Sequence, residues 1–309
     1  MRLINKIQIC LVTHNRPEYA TIALTSILNQ SFKNFDILVS DNSSNNDFKK
    51  IINKNFTSHY NLKYVFREPS LSAIEHLNTL INESTEYDFV VFFHDDDILE
   101  PFYLDEIIKN VNLNKNNFVA IGTNAKIIKN NKITSKVIWD SKKKLIINSK
   151  FQLVNQYFNL EYNGTVPFPS YFYRVSSLLG NKFDKSQGGK YCDLIFLINL
   201  LNKGNLLWLS EPLMQYRIHS DNDSNFLNIS DRKLLMTVLK NQDLVSKSLQ
   251  IDYYFIIIKE LYSKKKISST NYLLFILKYV LLNIKNKRFF KILYTQLEKK
   301  LNSKINFKL

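Results

Sequence analysis

Four polar clusters in this 309-residue chain hold side chains able to do chemistry. The densest is His94-Asp95-Asp96-Asp97, directly after an apolar and aromatic run at residues 89–93. Three successive carboxylates repel one another, and a divalent cation that prefers oxygen ligands, Mn²⁺ or Mg²⁺, offsets that repulsion. A cation held there also binds a diphosphate and neutralises charge as it leaves. The same residues suit a solvated acidic turn capping the helix that begins near Pro101, and spacing does not choose between the two. Asp41, ahead of Asn42-Ser43-Ser44, is placed either to accept hydrogen bonds from a base or ribose or to close an Asx turn. Asp193 lies near the start of a helical stretch, residues 191–202. There it is a general base for an acceptor hydroxyl or an acid favoured by the helix dipole. In Tyr216-Arg217-Ile218-His219, Arg217 has the fork that grips a phosphate, and His219 suits a metal or a diphosphate. A surface arginine and an ordinary polar histidine are the competing readings.

These clusters need a scaffold. Residues 7–13, 35–40, 62–66 and 89–93 are apolar runs, and helical patterns fill 17–30 and 72–82, with Pro17 where a first helical turn tolerates it. Strands alternating with helices predict an α/β fold, a mostly parallel sheet covered on both faces. Ligands of such sheets sit beyond the carboxyl ends of the strands. Those ends carry Thr13-His14-Asn15-Arg16, Asp41 and the triple aspartate, so one shared crevice is expected. Residues 163–189, with Pro167, Pro169, Gly188 and Gly189, read as an irregular loop over it. A short strand is expected at 206–209, and from about residue 224 the chain reads as helical to its end.

With 45% hydrophobic residues and only six Gly and six Pro, the chain is not a mostly disordered polypeptide. Cys10 and Cys192 are too few for a disulfide framework and point to the cytoplasm. The N-terminus reads as a first strand, not a signal peptide. No apolar run reaches the about 18 residues of a membrane span; the nearest, residues 272–284, carries Lys278. Of the net charge of +15, residues 226–309 hold +12, from 17 Lys plus Arg against five Asp plus Glu. Basic character confined to one end favours contact with an anionic surface over nucleic-acid binding by the whole protein. Lys264-Lys265-Lys266 and the basic run 285–291 are flanked by apolar residues, and most apolar positions from 289 to 301 fall on one helical stripe. That is a basic helix lying on an anionic leaflet, or a helix packed on the catalytic body.

In order, these segments resemble the family 2 glycosyltransferases, which have the GT-A fold, over about residues 7–224. Val12-Thr13-His14-Asn15-Arg16-Pro17 is similar to the family's first strand and donor loop, and Ser26-Ile27-Leu28-Asn29-Gln30-Ser31-Phe32 to the helix end that follows. Val39-Ser40-Asp41-Asn42-Ser43-Ser44 resembles the second-strand motif whose Asp contacts the donor base. Phe93-His94-Asp95-Asp96-Asp97-Ile98-Leu99-Glu100-Pro101 resembles the Asp-X-Asp metal motif. Tyr191-Cys192-Asp193-Leu194 resembles the Glu-Asp segment, and Tyr216-Arg217-Ile218-His219 the segment that closes the fold.

The resemblance implies an inverting, metal-dependent transfer from a nucleotide sugar, UDP-linked by preference, to a hydroxyl of a saccharide or lipid-linked saccharide in surface-polysaccharide assembly (lipopolysaccharide, O-antigen or capsule). Thr13, Asn15, Arg16 and Asp41 would hold the nucleotide. Asp95, Asp96 and Asp97 would hold ribose and metal, Asp193 would deprotonate the acceptor, and Arg217 or His219 would assist at the phosphates. Two departures stand out. His94 occupies the family's first Asp position, so the metal ligand is Asp96 in one register, the favoured one, or Asp97 in the other. Cys192 replaces the Glu that usually precedes the base.

The expected organisation is a GT-A domain over 1–224 and a basic helical region over 225–309, in the cytoplasm and peripheral on the inner face of the cytoplasmic membrane. A nucleotidyltransferase is one alternative, but no Gly-rich, Lys-bearing phosphate loop follows the first strand. The other is a non-catalytic nucleotide- or saccharide-binding scaffold, which the retained triple aspartate and Asp193 oppose.

Overall fold

The computed structural model describes residues 6–113, 118–160, 164–219 and 228–283. In chain order the elements are β1 (Ile7–Thr13), α1 (Pro17–Leu28), β2 (Asp36–Asp41), α2 (Asp47–Asn55), β3 (Leu62–Phe66), α3 (Ala73–Glu83), β4 (Phe89–His94), β5 (Ile98–Leu99), α4 (Tyr103–Leu113), β6 (Phe118–Lys129), β7 (Lys132–Val137), β8 (Leu145–Ile147), α5 (Lys150–Phe158), β9 (Phe172–Arg174), α6 (Val175–Leu178), α7 (Cys192–Leu200), β10 (Asn205–Ile218), α8 (Ile229–Asn241), α9 (Lys247–Ser263) and α10 (Ser269–Asn283). Single 3₁₀ turns at Phe168–Ser170 and Gly189–Tyr191 precede β9 and α7.

The strands form one sheet in the order β3-β2-β1-β4-β9-β6-β10-β5, with β7 on β6 and β8 on β10. β1, β2, β3 and β4 pair in parallel, as do β6 and β10, while β9 runs antiparallel between β4 and β6. Alternate side chains of the central strands feed two cores, as the two-residue period requires. Ile7, Ile9 and Leu11 pack with α1, whereas Cys10, Val90 and Phe92 join α7 on the other face. The alternation read from the sequence thus becomes a sheet buried on both sides.

The helices pin the strand ends in place. In α1, Pro17 sits in the first turn, and Ala20, Ala23, Leu24 and Ile27 recur at helical spacing on the buried face. Beyond its end, Gln30 donates from Nε2 to the Glu100 carbonyl at 2.8 Å and accepts from the Leu104 N–H at 3.1 Å. That side chain fastens α1 to the segment following the triple aspartate.

Two expectations need correction. Residues 163–189 are not only loop: β9, an interior strand, and α6 lie within them. A three-residue strand is too short for periodicity to reveal. Residues 206–209 are part of the 14-residue β10, which continues through Ser210-Glu211-Pro212 on a register shift against β6. Asn124 Nδ2 donates to the Ser210 carbonyl at 3.1 Å, so the bulge leaves that group satisfied.

Helices α8 and α9 share the core of the sheet. Leu235, Met236, Leu239, Leu249 and Tyr253 are buried in one cluster with Phe158, Leu194 and Phe196. α10 packs on α9 through stacked rings, Phe255 on Tyr279 at 4.5 Å and Tyr262 on Tyr272 at 4.1 Å. The boundary near residue 224, the basic run 285–291 and the stripe 289–301 lie outside the described residues. No described helix is long and apolar enough to cross a membrane.

Candidate active site

Strand register assembles the site. Thr13 ends β1 level with Asp41 of β2, and Val12 is level with His94 of β4. The antiparallel pair Gln215–Ile98 brings the end of β10 back over the triple aspartate. The consequences are direct contacts. Thr13 Oγ1 donates to Asp95 Oδ2 at 2.9 Å, and the His14 N–H donates to the same oxygen at 3.2 Å. Arg16 Nη2 forms an ion pair with Asp95 Oδ1 at 2.7 Å, and Nη1 pairs with Asp96 Oδ2 at 2.9 Å. The Arg217 N–H donates to Asp97 Oδ1 at 3.0 Å, and its Nε donates to the Asp96 carbonyl at 2.9 Å. Tyr19 of α1 lies beneath this corner, 4.8 Å from the Arg217 guanidinium and 5.7 Å from the His219 ring.

Electrostatics separate the three aspartates. Burial alone would raise the Asp96 carboxyl, but His94, the His219 hydrogen bond and Arg16 outweigh it and hold it below the ordinary range. Asp96 is therefore ionised, and His219 Nε2, 2.9 Å from its Oδ2, donates. Burial pushes Asp95 up to about 6 despite Arg16. Asp97 is pushed well above the usual range by burial first and then by the neighbouring Asp96 charge.

Asp97 Oδ2 is buried with no hydrogen-bond donor among the described residues. Ligand atoms of His94, Asp96 and Asp97 lie within 4.8 Å of one another. An orphaned carboxylate oxygen beside a second carboxylate and an imidazole fits a divalent cation such as Mn²⁺. His94 was missing from the sequence-based ligand set, although its place at the family's first Asp position carried the signal. Tyr19 had no signal, lying a turn into a helix.

The β2 side of the crevice is built differently. Asn15 adopts a φ of 54°, which Asn tolerates. Its N–H donates to Ser43 Oγ at 2.8 Å, and its Oδ1 accepts from the Ser44 N–H at 2.9 Å. The first and second strand loops are thereby tied together. Asp41 is fully buried; its Oδ1 accepts from the Ser43 N–H at 3.0 Å, and its Oδ2 accepts from Tyr64 at 2.7 Å. Asp41 thus closes an Asx turn, and any contact with a base must share an oxygen that Ser43 or Tyr64 already engages. Tyr64 went unnoticed in the sequence because it reads as an ordinary strand aromatic.

Among the described residues, Asp193 makes no hydrogen bond or ion pair with the triple aspartate. It opens α7, where its Oδ1 accepts from the Leu194 N–H at 2.8 Å, and burial pushes it up to about 6. Burial raises the phenols of Tyr157, Tyr171 and Tyr173, and the nearby Asp193 charge adds to the shift. Phe168 lies between this group and the aspartates, its ring 6.2 Å from His94 and 6.3 Å from Tyr173.

Polar strand ends converging beside a cluster that fits a cation define a class, and the comparisons agree with it. Residues 8–178, more than half of the chain, match Glycosyl transferase family 2, and the chain belongs to that family. Asp193, Arg217 and His219 lie beyond the matched stretch. The bifunctional glycosyltransferase pgtA of Dictyostelium discoideum is 22% identical over 239 residues, 69% of this chain; the chain spans only 31% of that relative. S. aureus TarS 1-349 in complex with UDP-GlcNAc is similar with a TM-score of 0.56 at 15% identity, over 82% of this chain and 81% of that one. The mannosyltransferase PcManGT from Pyrobaculum calidifontis, in complex with GDP-Man and Mn²⁺, gives 0.56 at 10% identity, over 90% and 80%. At such identities the likeness establishes the fold, which is GT-A.

Proposed function

We propose that this glycosyltransferase moves a sugar from a nucleotide-sugar donor, UDP-linked by preference, to an acceptor hydroxyl with inversion at the anomeric carbon. The observation that carries the proposal is the orphaned Asp97 oxygen beside Asp96 and His94, held in place by Arg16 and Arg217. His94, Asp96 and Asp97 would hold Mn²⁺ or Mg²⁺, which supplies charge to stabilise a departing diphosphate. Thr13, Asn15 and Arg16 line the nucleotide side, with Asp41 behind them. Arg217 and His219 neutralise the aspartates and stand where phosphates would come. Asp193, whose carboxyl burial pushes up to about 6, is ionised near neutrality and takes the proton of the acceptor hydroxyl as it attacks.

The catalytic unit in this reading is residues 1–224, with a basic helical region over 225–309. The acceptor is a saccharide, lipid-linked in surface-polysaccharide assembly, met at the inner face of the cytoplasmic membrane. Leu273, Leu274, Phe275, Leu277 and Leu281 of α10 are exposed, as are Lys265, Lys266 and Lys278. Charge complementarity selects an anionic lipid surface as their occupant, because a second copy brings the same +12 in residues 226–309.

The test is release of nucleoside diphosphate from UDP-GlcNAc and GDP-mannose with Mn²⁺, in wild type and Asp96→Asn. Release from one donor that disappears in the variant supports the reading; release unaffected by the substitution removes the metal site from it.

A further inference from the structure

The turn leading into Asp193 is also held from outside. Gly188 and Gly189 take φ values of 107° and 63°, so the first half of this stretch has no side chains to restrain it. A Cβ on Gly189 would collide with the Asp231 carboxylate. Asp231 lies in the first turn of α8, which Asn228 caps by accepting from the Asp231 N–H at 3.2 Å. From there its Oδ2 accepts from the Lys190 N–H at 3.3 Å. The next residue, Arg232, sets its guanidinium 4.9 Å from the centre of the Tyr191 ring and pairs with Glu260 of α9. Its carbonyl accepts from Tyr253 at 2.9 Å, and Lys264 holds Glu260 at 2.8 Å. Two adjacent residues of α8 thus grip three adjacent residues of the turn, and Asp193 follows two positions later.

We infer that Asp231 and Arg232 are positioning residues that fix Asp193 by clamping the Gly189–Tyr191 turn against α8 and α9. The C-terminal helices are then part of the transfer machinery as well as a candidate lipid contact. The inference rests on reading Asp193 as the base. Without these contacts the glycine turn would loosen and let the carboxylate shift, and a misplacement of about 1 Å can cost about a hundredfold in rate.

The test uses Arg232→Met, which keeps the apolar stem and removes the charge. Hydrogen exchange at residues 189–194 is expected to rise about tenfold or more while exchange in β1 and β4 stays unchanged. In donor hydrolysis, with UDP-GlcNAc or GDP-mannose and water in place of the acceptor, kcat is expected to fall about ten- to a hundredfold with KM for the donor unchanged. Arg232→Lys recovers part of the loss. Asp231→Ala, which removes the acceptor of the Lys190 N–H, gives the same split where Arg232→Met does not fold. Unchanged exchange at 189–194, or kcat and KM moving together with a chain-wide rise in exchange, overturns the inference. Asp193→Asn measured alongside separates the two failures. Retained hydrolysis there removes the base reading itself. Collapsed hydrolysis there with an unaltered Arg232→Met overturns the clamp alone.

Discussion

Arg217 donates its backbone N–H to Asp97 Oδ1 at 3.0 Å across 120 residues of sequence and leaves Asp97 Oδ2 with no donor among the described residues. The contact exists because β10 turns back over β5 in antiparallel register. One oxygen is fixed by the fold, and the other is the one the proposed cation would take.

Asp97→Asn should therefore separate folding from metal binding. The amide keeps the shape and accepts from Arg217, while the repulsion with Asp96 disappears. The melting temperature without metal is expected to stay level or rise, and the increase on adding Mn²⁺ is expected to vanish. In the wild type, Mn²⁺ affinity should climb with pH, because the raised Asp97 carboxyl must lose its proton to bind. Calorimetric titration across pH checks both; a variant that still responds to Mn²⁺ removes Asp97 from the ligand set.

Asp193→Asn is expected to lower turnover by about 10²- to 10⁴-fold, the usual span for a general base. Nucleotide affinity should change little, because among the described residues Asp193 makes no hydrogen bond or ion pair with the nucleotide-side cluster. Its pKa is raised to about 6, so the active, deprotonated form accumulates as pH rises. The rate of the wild type should rise through pH 6, and that limb should be missing from the residual rate of the variant. A wild-type rate flat from pH 5 to 8 contradicts the assignment.

Much of this was legible in the sequence, for identifiable reasons. β1 and β3 have the ends that their apolar runs gave, and β2 and β4 differ by one residue at their ends; β1, β2 and β4 are buried on both faces and written as near-continuous apolar stretches, and β3 at the sheet edge is a short run bounded by Asn61 and Arg67. The polar residues after them were found for the same reason. β9 and the length of β10 were not legible: one is three residues long, and the other crosses Pro212 on a bulge whose Ser210 carbonyl is satisfied by distant Asn124. Arg217 and His219 were noticed individually, but their meeting with Asp96 and Asp97 depends on a register no local pattern encodes. The Asp231 and Arg232 contacts with the Gly189–Tyr191 turn are tertiary and left no motif.

His76 makes folding acid-sensitive. It is 2% exposed, and its Nε2 lies 2.6 Å from Ser40 Oγ, which already accepts from Arg67 Nε at 2.8 Å. The Ser40 hydroxyl therefore donates to a neutral imidazole. Burial first and Arg67 second lower its pKa from 6.5 to about 4. A folded value below the unfolded one means that this stability is complete above pH 6.5 and drains away as pH falls toward 4. The loss amounts to about 3 kcal/mol at most, at about 1.36 kcal/mol per pKa unit. Urea midpoints of wild type and His76→Asn from pH 7 to 4 should converge; parallel curves contradict the assignment.

The α10 surface gives a prediction independent of chemistry. Leu274→Ser with Leu277→Ser removes two exposed apolar side chains and should leave the melting temperature within about 1 °C, as surface changes usually do. Sedimentation with phosphatidylglycerol vesicles should weaken about tenfold, with little binding of either protein to phosphatidylcholine vesicles. Unchanged sedimentation contradicts a lipid contact, and a large loss of stability identifies the chain's own residues as the occupant.

The most direct test of the account is thermal shift with UDP, GDP, dTDP and CMP, each with and without Mn²⁺, in wild type and Asp96→Asn. A ligand at a hundredfold excess over its Kd stabilises the native state by about 2.7 kcal/mol, a rise of several degrees. The account predicts that one nucleotide raises the wild-type melting temperature only with Mn²⁺ and does nothing for Asp96→Asn. A shift with no need of Mn²⁺ or Asp96, or none with any of the four at millimolar concentration, would contradict it.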